Sequence, residues 1–580
     1  MTTHRSRTGD AVGAEPVAEA FRTWMLGCAR SGCSSALEVE IVAVGRSVRR
    51  VTAETVRAVW SLPAYRAAAM DGIAVRACDT AEASEGWPVA LPPGRFDRID
   101  TGDPMPESRD AVVMREHVAW TDSGGVVVTA VIAPGRNVRP VGEDIEAGRT
   151  VLPAGHRIRP VDAVALAGAG HTSVRVRRRP VVVILPTGDE VRPVGTAIAA
   201  GEVLDTNSLM LAGMVEESGG EPVQLPIVSD RPERIAAAVE EAASLADLVL
   251  VIAGSSAGRD DHTAMVVQQL GRIAVHGVAM RPAHPVLLGA ITGEYPVPVV
   301  GVPGYPSSAE RVFTCFARPL LHRLLGQDEP ARDGVPARLG CAVHSPAHVD
   351  EYVRMRLARV LDPRTGLESL VATPLRRGAG AVNAMVRTEA MLRIPEGQTG
   401  FAAGTEIRPV PVDGAAFRAA TLLVSGLSSQ ATAALLDLDQ EGQSLHGSVQ
   451  WTETDAHEAR GAVTNGLCHA IALRLEREDG QGAGVIAAMV EDAGGVTVLE
   501  IARTGSVSEV LVVPAEAFDN PPIVALRTVL RSTDFRRRLL RCAGYSGRNA
   551  GRETWHGPAA RTNAASTAAL VNGSDARPVE

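Results

Sequence analysis

The sequence predicts an α/β multidomain protein: a discontinuous N-terminal domain with a β-rich insert, a doubly wound α/β domain, a small β-barrel and a shortened C-terminal α/β module. Three observations predict it. At 580 residues the chain is too long for one core. Between residues 180 and 325, short β-branched runs alternate with amphipathic helical stretches, the pattern of a mainly parallel sheet covered on both faces. On either side the texture changes to short alternating strands broken by Pro and Gly.

In chain order, the polar residues 1–15 are expected to be disordered and contain no apolar secretory core. Stretches 17–26 and 35–62 read as largely helical. They join residues 136–176 in one domain (16–62 and 136–176), interrupted by an insert at 63–135 that is rich in Pro, Gly and short strands. The doubly wound domain spans 177–327. Its strands are expected at 181–185, 222–227, 247–252, 273–276, 286–289 and 297–302, and its helices at 207–218, 231–245, 262–270 and 307–325. A Pro/Gly/Asp-rich linker leads to the barrel at 336–414. The last module, 420–547, opens on the apolar run Leu422-Leu423-Val424, and a Gly/Ser/Asn-rich tail at 548–580 is expected to be disordered.

Composition excludes several classes. A net charge of −9 argues against general nucleic-acid binding. No apolar stretch is long enough to span a bilayer. The seven cysteines are scattered, with no CxxC pair, so neither a disulfide framework nor a zinc cluster is expected, and reduced thiols suit a cytoplasmic protein.

Ligands of open α/β sheets bind at the carboxyl ends of the strands. Three turns follow predicted strands: Pro186-Thr187-Gly188-Asp189-Glu190, the loop 253–261, and Gly301-Val302-Pro303-Gly304-Tyr305-Pro306. In the second, Gly254, Ser256 and Gly258 permit close backbone approach and lead into a helix, an arrangement suited to an oxyanion. Asp189, Glu190, Asp230 and Asp261 bring carboxylates to the same edge. Beside a phosphate these suggest Mg²⁺, which shares protein and phosphate oxygens. Asp230 has a competing reading as a helix N-cap. Arg281 and His284 could neutralise remaining anionic charge.

An ordered set of motifs then resembles the MoeA-type molybdopterin molybdenumtransferases. Ala69-Met70-Asp71-Gly72-Ile73-Ala74-Val75-Arg76 is similar to the family's MDGYAVR signature, with Ile73 for the usual Tyr. Thr101-Gly102-Asp103-Pro104-Met105-Pro106 with Asp110-Ala111-Val112-Val113, and Gly142-Glu143-Asp144-Ile145 with Gly148, follow in the family's order. So do Thr187-Gly188-Asp189-Glu190, Asp205-Thr206-Asn207 and the two later turns. The resemblance covers about 17–412.

It implies an enzyme that inserts molybdate into adenylylated molybdopterin and releases AMP with the help of Mg²⁺, working as a homodimer with a shared site. Residues 177–327 would be its molybdopterin-binding domain. Asp71, Thr101 and Asp144 would face the cleft from the partner subunit. Asp71 or Glu190 would handle protons, and Asp261 would contribute to catalysis. Asp189, Glu190, Asp230 and Asp261 would meet the metal. Thr187, Gly254, Ser256, Gly258, Arg281, His284, Pro303, Pro306 and Arg354 would bind substrate. Arg281 and His284 stand where lysines are frequent, Arg259 where an acid is frequent, and Tyr305 for a frequent Asn.

Residues 421–544 resemble, more distantly, the periplasmic-binding-protein-like (LysR-substrate-type) extension of some family members, a module that forms two lobes around an anion. The clues are Leu423-Val424-Ser425-Gly426, Gly466-Leu467-Cys468-His469 and the stretch 532–545. His469 reads either as part of a site or as a packed core histidine. Two other functions remain in view. One is the adenylyltransferase step, disfavoured because Asp71, Thr101 and Asp144 lie outside its fold. The other is a non-catalytic molybdate or molybdopterin sensor or scaffold.

Overall fold

The computed structural model describes residues 15–253, 262–293, 296–328, 332–362, 365–378, 382–412, 421–440, 449–475, 480–493, 495–542 and 544–556. At its centre lies a six-stranded sheet in the order Glu221–Gln224, Val181–Pro186, Leu248–Ala253, Val297–Pro303, Leu287–Ile291, Gly271–His276. The first four strands are parallel and the last two antiparallel. Val182 to Leu185 are all fully buried without alternation, because helices cover both faces. Val182 and Ile184 pack with Leu211, Phe313 and Phe316 on one side, and Val183 and Leu185 with Ile235 and Val239 on the other.

Three N-terminal expectations differ from the structure. The helix Val17–Arg30, grouped by sequence with the N-terminal domain, packs into the core of the central sheet. Its Trp24 is fully buried and donates from Nε1 to the Gly289 carbonyl at 2.8 Å. Glu15, placed with the disordered leader, bridges Val278. The stretch 35–62 is not helical beyond the 3-10 turn Val44–Arg46. Val39–Ala43 pairs antiparallel with Ser173–Arg177, and Val56–Arg57 with Thr150–Leu152. β-branched residues are stiff at χ1 and favour this pairing. These ladders tie 39–57 to 150–177 around the insert.

The insert holds two three-stranded sheets, Phe96–Ile99/Gly72–Val75/Ala111–Met114 and Val89–Leu91/Val126–Val128/Val118–Trp120. They share a core of Ile73, Val75, Val113, Val126 and Val128. Ile73 is fully buried.

Residues 337–411 form a curled sheet centred on the long strand Asp350–Leu361, joined by Met280–Arg281 of the central domain. Its two ends, Glu406–Ile407 and Val410–Pro411, are nearly consecutive in the chain, so the edges meet without a ladder between them.

The C-terminal module is one sheet of seven strands with cores on both faces. Val496–Thr504 turns directly into Val507–Pro514 at Gly505 (φ 59°). Among the described residues there is one sheet rather than two lobes. The module docks on the preceding domain, where Ala358, Val360 and Val371 share a core with Leu423, Ile471 and Leu473. Residues 548–556, expected to belong to a disordered tail, are placed in the fold. Glu553–His556 pairs with Val496–Leu499, and Trp555 lies against Gly495. No described helix is long and apolar enough to cross a membrane.

Candidate active site

Three adjacent parallel strands end in register at one edge of the central sheet, Pro186 opposite Ile252 and Ala253 opposite Pro303. The turn after the first is fixed by its own polar groups. The amide and hydroxyl of Thr187 both donate to the Ile252 carbonyl, at 2.8 and 3.0 Å, and the Gly188 amide donates to Val228 at 3.0 Å. Gly188 has φ +138°, and a Cβ there would stand 2.6 Å from Val191 Cγ2 and 3.0 Å from Glu190 Oε2, so only glycine fits.

The two adjacent carboxylates of this turn line different spaces. Glu190 lines a cleft of about 580 Å³ with Thr187, Asn207, Ile252, Tyr305 and Pro306. Asp189 lines a neighbouring hollow with Arg192, Asp205 and Ser229. Asp189 is instead paired with Asp230. The Asp189 amide donates to Asp230 Oδ2 at 3.3 Å, and the Asp230 amide to Asp189 Oδ1 at 3.4 Å. Asp230 does not cap the following helix, whose N-cap is Arg231.

Of the four expected carboxylates, Asp189 and Asp230 stand side by side and Glu190 lines the other space, and no group of three or more metal-ligating side chains is found among the described residues. Gly254, Ser256, Gly258, Arg259 and Asp261 lie outside the described residues.

Sequence reasoning missed Asn207 as a cleft residue. Its Nδ2 donates to the Gly304 carbonyl at 2.8 Å, while its buried Oδ1 has no protein partner. Asp205, one residue before its helix, caps it by accepting from Ser208 at 3.0 Å.

A second, cationic space of about 300 Å³ lies where the curled sheet meets the central domain. Arg281, His284, Arg354, Arg376 and Arg377 line it. The turn carrying Arg281 and His284 places Ala283 at φ 85°, a strained conformation for a residue with a Cβ. It is held by the Val278 amide donating to the His284 carbonyl at 2.9 Å. His284 Nδ1 donates to the Val278 carbonyl at 2.8 Å, so Nε2 could donate to an anion only when the ring is protonated. Arg354 is held by Glu310 at 3.3 Å, and burial lowers its pKa.

Of the residues expected around the anion, Arg281, His284 and Arg354 converge here. Pro306 lines the other cleft, and Pro303 is buried at the end of its strand. Arg376 and Arg377 were not foreseen; their signal was an adjacent basic pair, and it follows closely on the strand Glu368–Pro374.

Asp71, Thr101 and Asp144 lie exposed on one face of the N-terminal half. Backbone hydrogen bonds gather it: Gly102 to Ala68 (2.9 Å), Ala69 to Asn137 (2.9 Å) and Asp144 to Leu62 (3.1 Å). None of the residues lining the two spaces above comes from this face.

A doubly wound domain whose strand-end cleft lies beside a hollow lined by arginines defines a protein that handles an anionic small molecule. Residues 16–170 match the MoeA N-terminal region (domains I and II), 183–323 a family described as a "probable molybdopterin binding domain", and 336–412 the MoeA C-terminal region (domain IV). The molybdopterin molybdenumtransferase of Bacillus subtilis is 30% identical over 392 residues, 64% of this chain and 89% of that protein. Molybdopterin molybdenumtransferase 2 of Mycobacterium tuberculosis is 32% identical over 375 residues, 60% of this chain and 89% of that one. The crystal structure of the molybdopterin biosynthesis MoeA protein from Pyrococcus horikoshii superposes with a TM-score of 0.58 at 30% identity, covering 69% of this chain and all of that one. The chain belongs to the MoeA-type molybdopterin molybdenumtransferase family.

Proposed function

We propose that the protein inserts molybdate into adenylylated molybdopterin and releases AMP. The observation that carries this reading is the pairing of two spaces of different chemistry. One is an amphipathic cleft at the strand ends, with room for a pterin, and the other a hollow lined by four arginines, a histidine and the Glu351 carboxylate that Arg377 meets at 3.3 Å, a charge balance that suits an oxyanion. An oxo ligand leaves molybdate easily only when protonated, so a carboxylic acid or a cation must assist. Glu190, the carboxylate that lines the cleft, takes this role where the pterin meets the anion. Asn207 shapes the cleft wall beside the pterin, and Arg281, Arg354, Arg376 and Arg377 hold the anion.

Asp189 and Asp230 fit a Mg²⁺ ion: both are hard oxygen donors, and each spends one oxygen on the other's amide, leaving the second. Bound there, the ion would supply charge for the phosphates. Asp71, Thr101 and Asp144 act in the cleft of a partner copy, a reading supported by their exposure and their absence from both spaces of their own chain. The 421–556 module is one lobe of a periplasmic-binding-type fold.

The test is AMP release from adenylylated molybdopterin, Mg²⁺ and molybdate by the purified protein. Molybdate-dependent AMP release that Glu190→Gln lowers by about 10²–10⁴ supports the reading. No AMP release, or a Glu190→Gln variant equal to the parent, overturns it.

A further inference from the structure

The helix Val17–Arg30 ends in a closed turn that sets two thiols against each other. The Cys33 amide donates to the Cys28 carbonyl at 3.0 Å and the Gly32 amide to the Ala29 carbonyl at 3.1 Å, with Gly32 at φ 78°. This pair of bonds around a left-handed glycine is the Schellman ending, in which the residue after the glycine packs on the residue five positions earlier. Here both of those residues are cysteines. Standard bond lengths across the Cys33–Cys28 hydrogen bond keep the two Cα atoms within roughly 7 Å, which is within reach of a disulfide. Cys33 Sγ lies 3.5 Å from the Cys28 carbonyl oxygen, and both side chains join the same apolar core.

The two thiols differ in access and in charge. Cys28 is 1% exposed, whereas Cys33 is half-buried and follows the exposed Ser31 and Gly32. The Cys28 thiol holds the Cys33 pKa below the usual thiol value, and the same contact, with burial, raises that of Cys28. Arg323, whose Nε donates to the Ser34 carbonyl at 3.0 Å, sets a cation beside Cys28. A cation beside a thiol favours the thiolate. Cys33 is therefore the sulfur that a reagent meets first, and Cys28 stands behind it.

We propose that Cys33 and Cys28 form a reversible oxidation site, in which Cys33 reacts with small-molecule disulfides and Cys28 resolves the adduct. The Cys33 thiolate attacks one sulfur of oxidised glutathione, the S–S bond breaks, and one glutathione leaves and takes up a proton. The Cys28 thiol gives its proton to water, its sulfur attacks Cys33 Sγ, and the second glutathione leaves and is protonated. Two protein thiols are oxidised, and one disulfide is reduced to two thiols. Neither cysteine lines the cleft or the anion hollow, and the site does not depend on the transferase reading.

The test incubates the full-length protein with oxidised glutathione, blocks free thiols and maps each cysteine by mass spectrometry, with the exposed Cys78 as a gauge of the reagent. In the parent a Cys28–Cys33 disulfide free of glutathione should accumulate, and dithiothreitol should reverse it. Cys28→Ala, which keeps an apolar side chain in the core, should leave glutathione on Cys33. Cys33→Ser, at the half-buried position, should slow oxidation of Cys28 at least tenfold. A lasting glutathione adduct on parental Cys33, oxidation of Cys28 at the parental rate in Cys33→Ser, or reduced Cys28 and Cys33 in a sample whose Cys78 carries glutathione each overturns the proposal.

Discussion

Asp71 receives both donors of Thr101 on a single oxygen: the backbone amide and the hydroxyl each reach Oδ1 at 2.7 Å. The hydroxyl first and then the amide hold the Asp71 carboxyl below the usual carboxylate range. A carboxyl depressed in this way favours the fold above its unfolded pKa and loses that contribution as pH falls through the folded one. Thr101→Ala removes the hydroxyl and keeps the amide, so the Asp71 pKa should rise. The acid limb of the pH profile for AMP release should move to higher pH, with little change in melting temperature at neutral pH because the pair is exposed. An acid limb in the same place for parent and variant would show that Asp71 does not act as the ionised group.

Gly188→Ala tests the geometry of the turn. The added methyl meets Val191 and the Glu190 carboxylate in a backbone conformation that disfavours a Cβ. A cost of about 1–3 kcal/mol is expected in denaturant unfolding. AMP release should fall further than that loss explains, because Glu190 is pushed from the cleft. A variant with parental kcat would show that the position of Glu190 is not critical.

Arg281 and His284 should divide the work on molybdate unequally. Loss of a charge-assisted hydrogen bond costs about 1.5–3 kcal/mol, roughly 10- to 100-fold in binding. Arg281→Ala should therefore raise the KM for molybdate by at least tenfold, with a smaller effect on kcat. His284 has already committed Nδ1 to Val278 and offers one nitrogen. His284→Lys should lower the KM for molybdate. Steady-state AMP release across a molybdate series checks both, and unchanged KM values in both variants would move the anion elsewhere.

Legibility in the sequence tracked how local the cause was. The run Val181 to Leu185 reads as a buried strand because both of its faces are covered, and the parallel order around it followed from the alternation. Val39–Ala43 was misread because four of its five residues are exposed and its pairing partner lies more than 120 residues away. Only that non-local ladder decides its conformation. The tail at 553–556 was misread for the same reason: its composition suggests disorder, and Val496–Leu499 recruits it into the sheet.

In the site, motif residues such as Thr187, Glu190, Arg281 and Arg354 were visible. The separation of Asp189 from Glu190 was not, since neighbours in a turn can point either way. Asn207 lies within a recognised motif, but its orphaned Oδ1 emerges only from the packing.

His469 should make the joint between the C-terminal module and the curled sheet sensitive to acid. Its Nδ1 accepts from the Leu423 amide at 3.0 Å, and its Nε2 therefore carries the proton and donates to the Arg359 carbonyl at 2.9 Å. The ring is fully enclosed and spans two domains, which answers the sequence's open question in favour of a packed core histidine. Protonation would replace the Nδ1 acceptor with a donor facing the Leu423 N–H. Burial lowers the pKa to about 4. A histidine depressed in the folded state adds full stability above its unfolded value, near 6.5, and loses it progressively as pH falls towards 4. The limit is about 3 kcal/mol. His556, also lowered by burial, acts in the same direction, and Glu500, raised by burial, acts in the opposite one. Thermal melts between pH 7.5 and 4.5 should show the transition of the C-terminal module falling steeply below pH 6.5. His469→Gln should begin less stable at pH 7.5 and lose most of that slope. A parental slope in His469→Gln would move the acid sensitivity to another group.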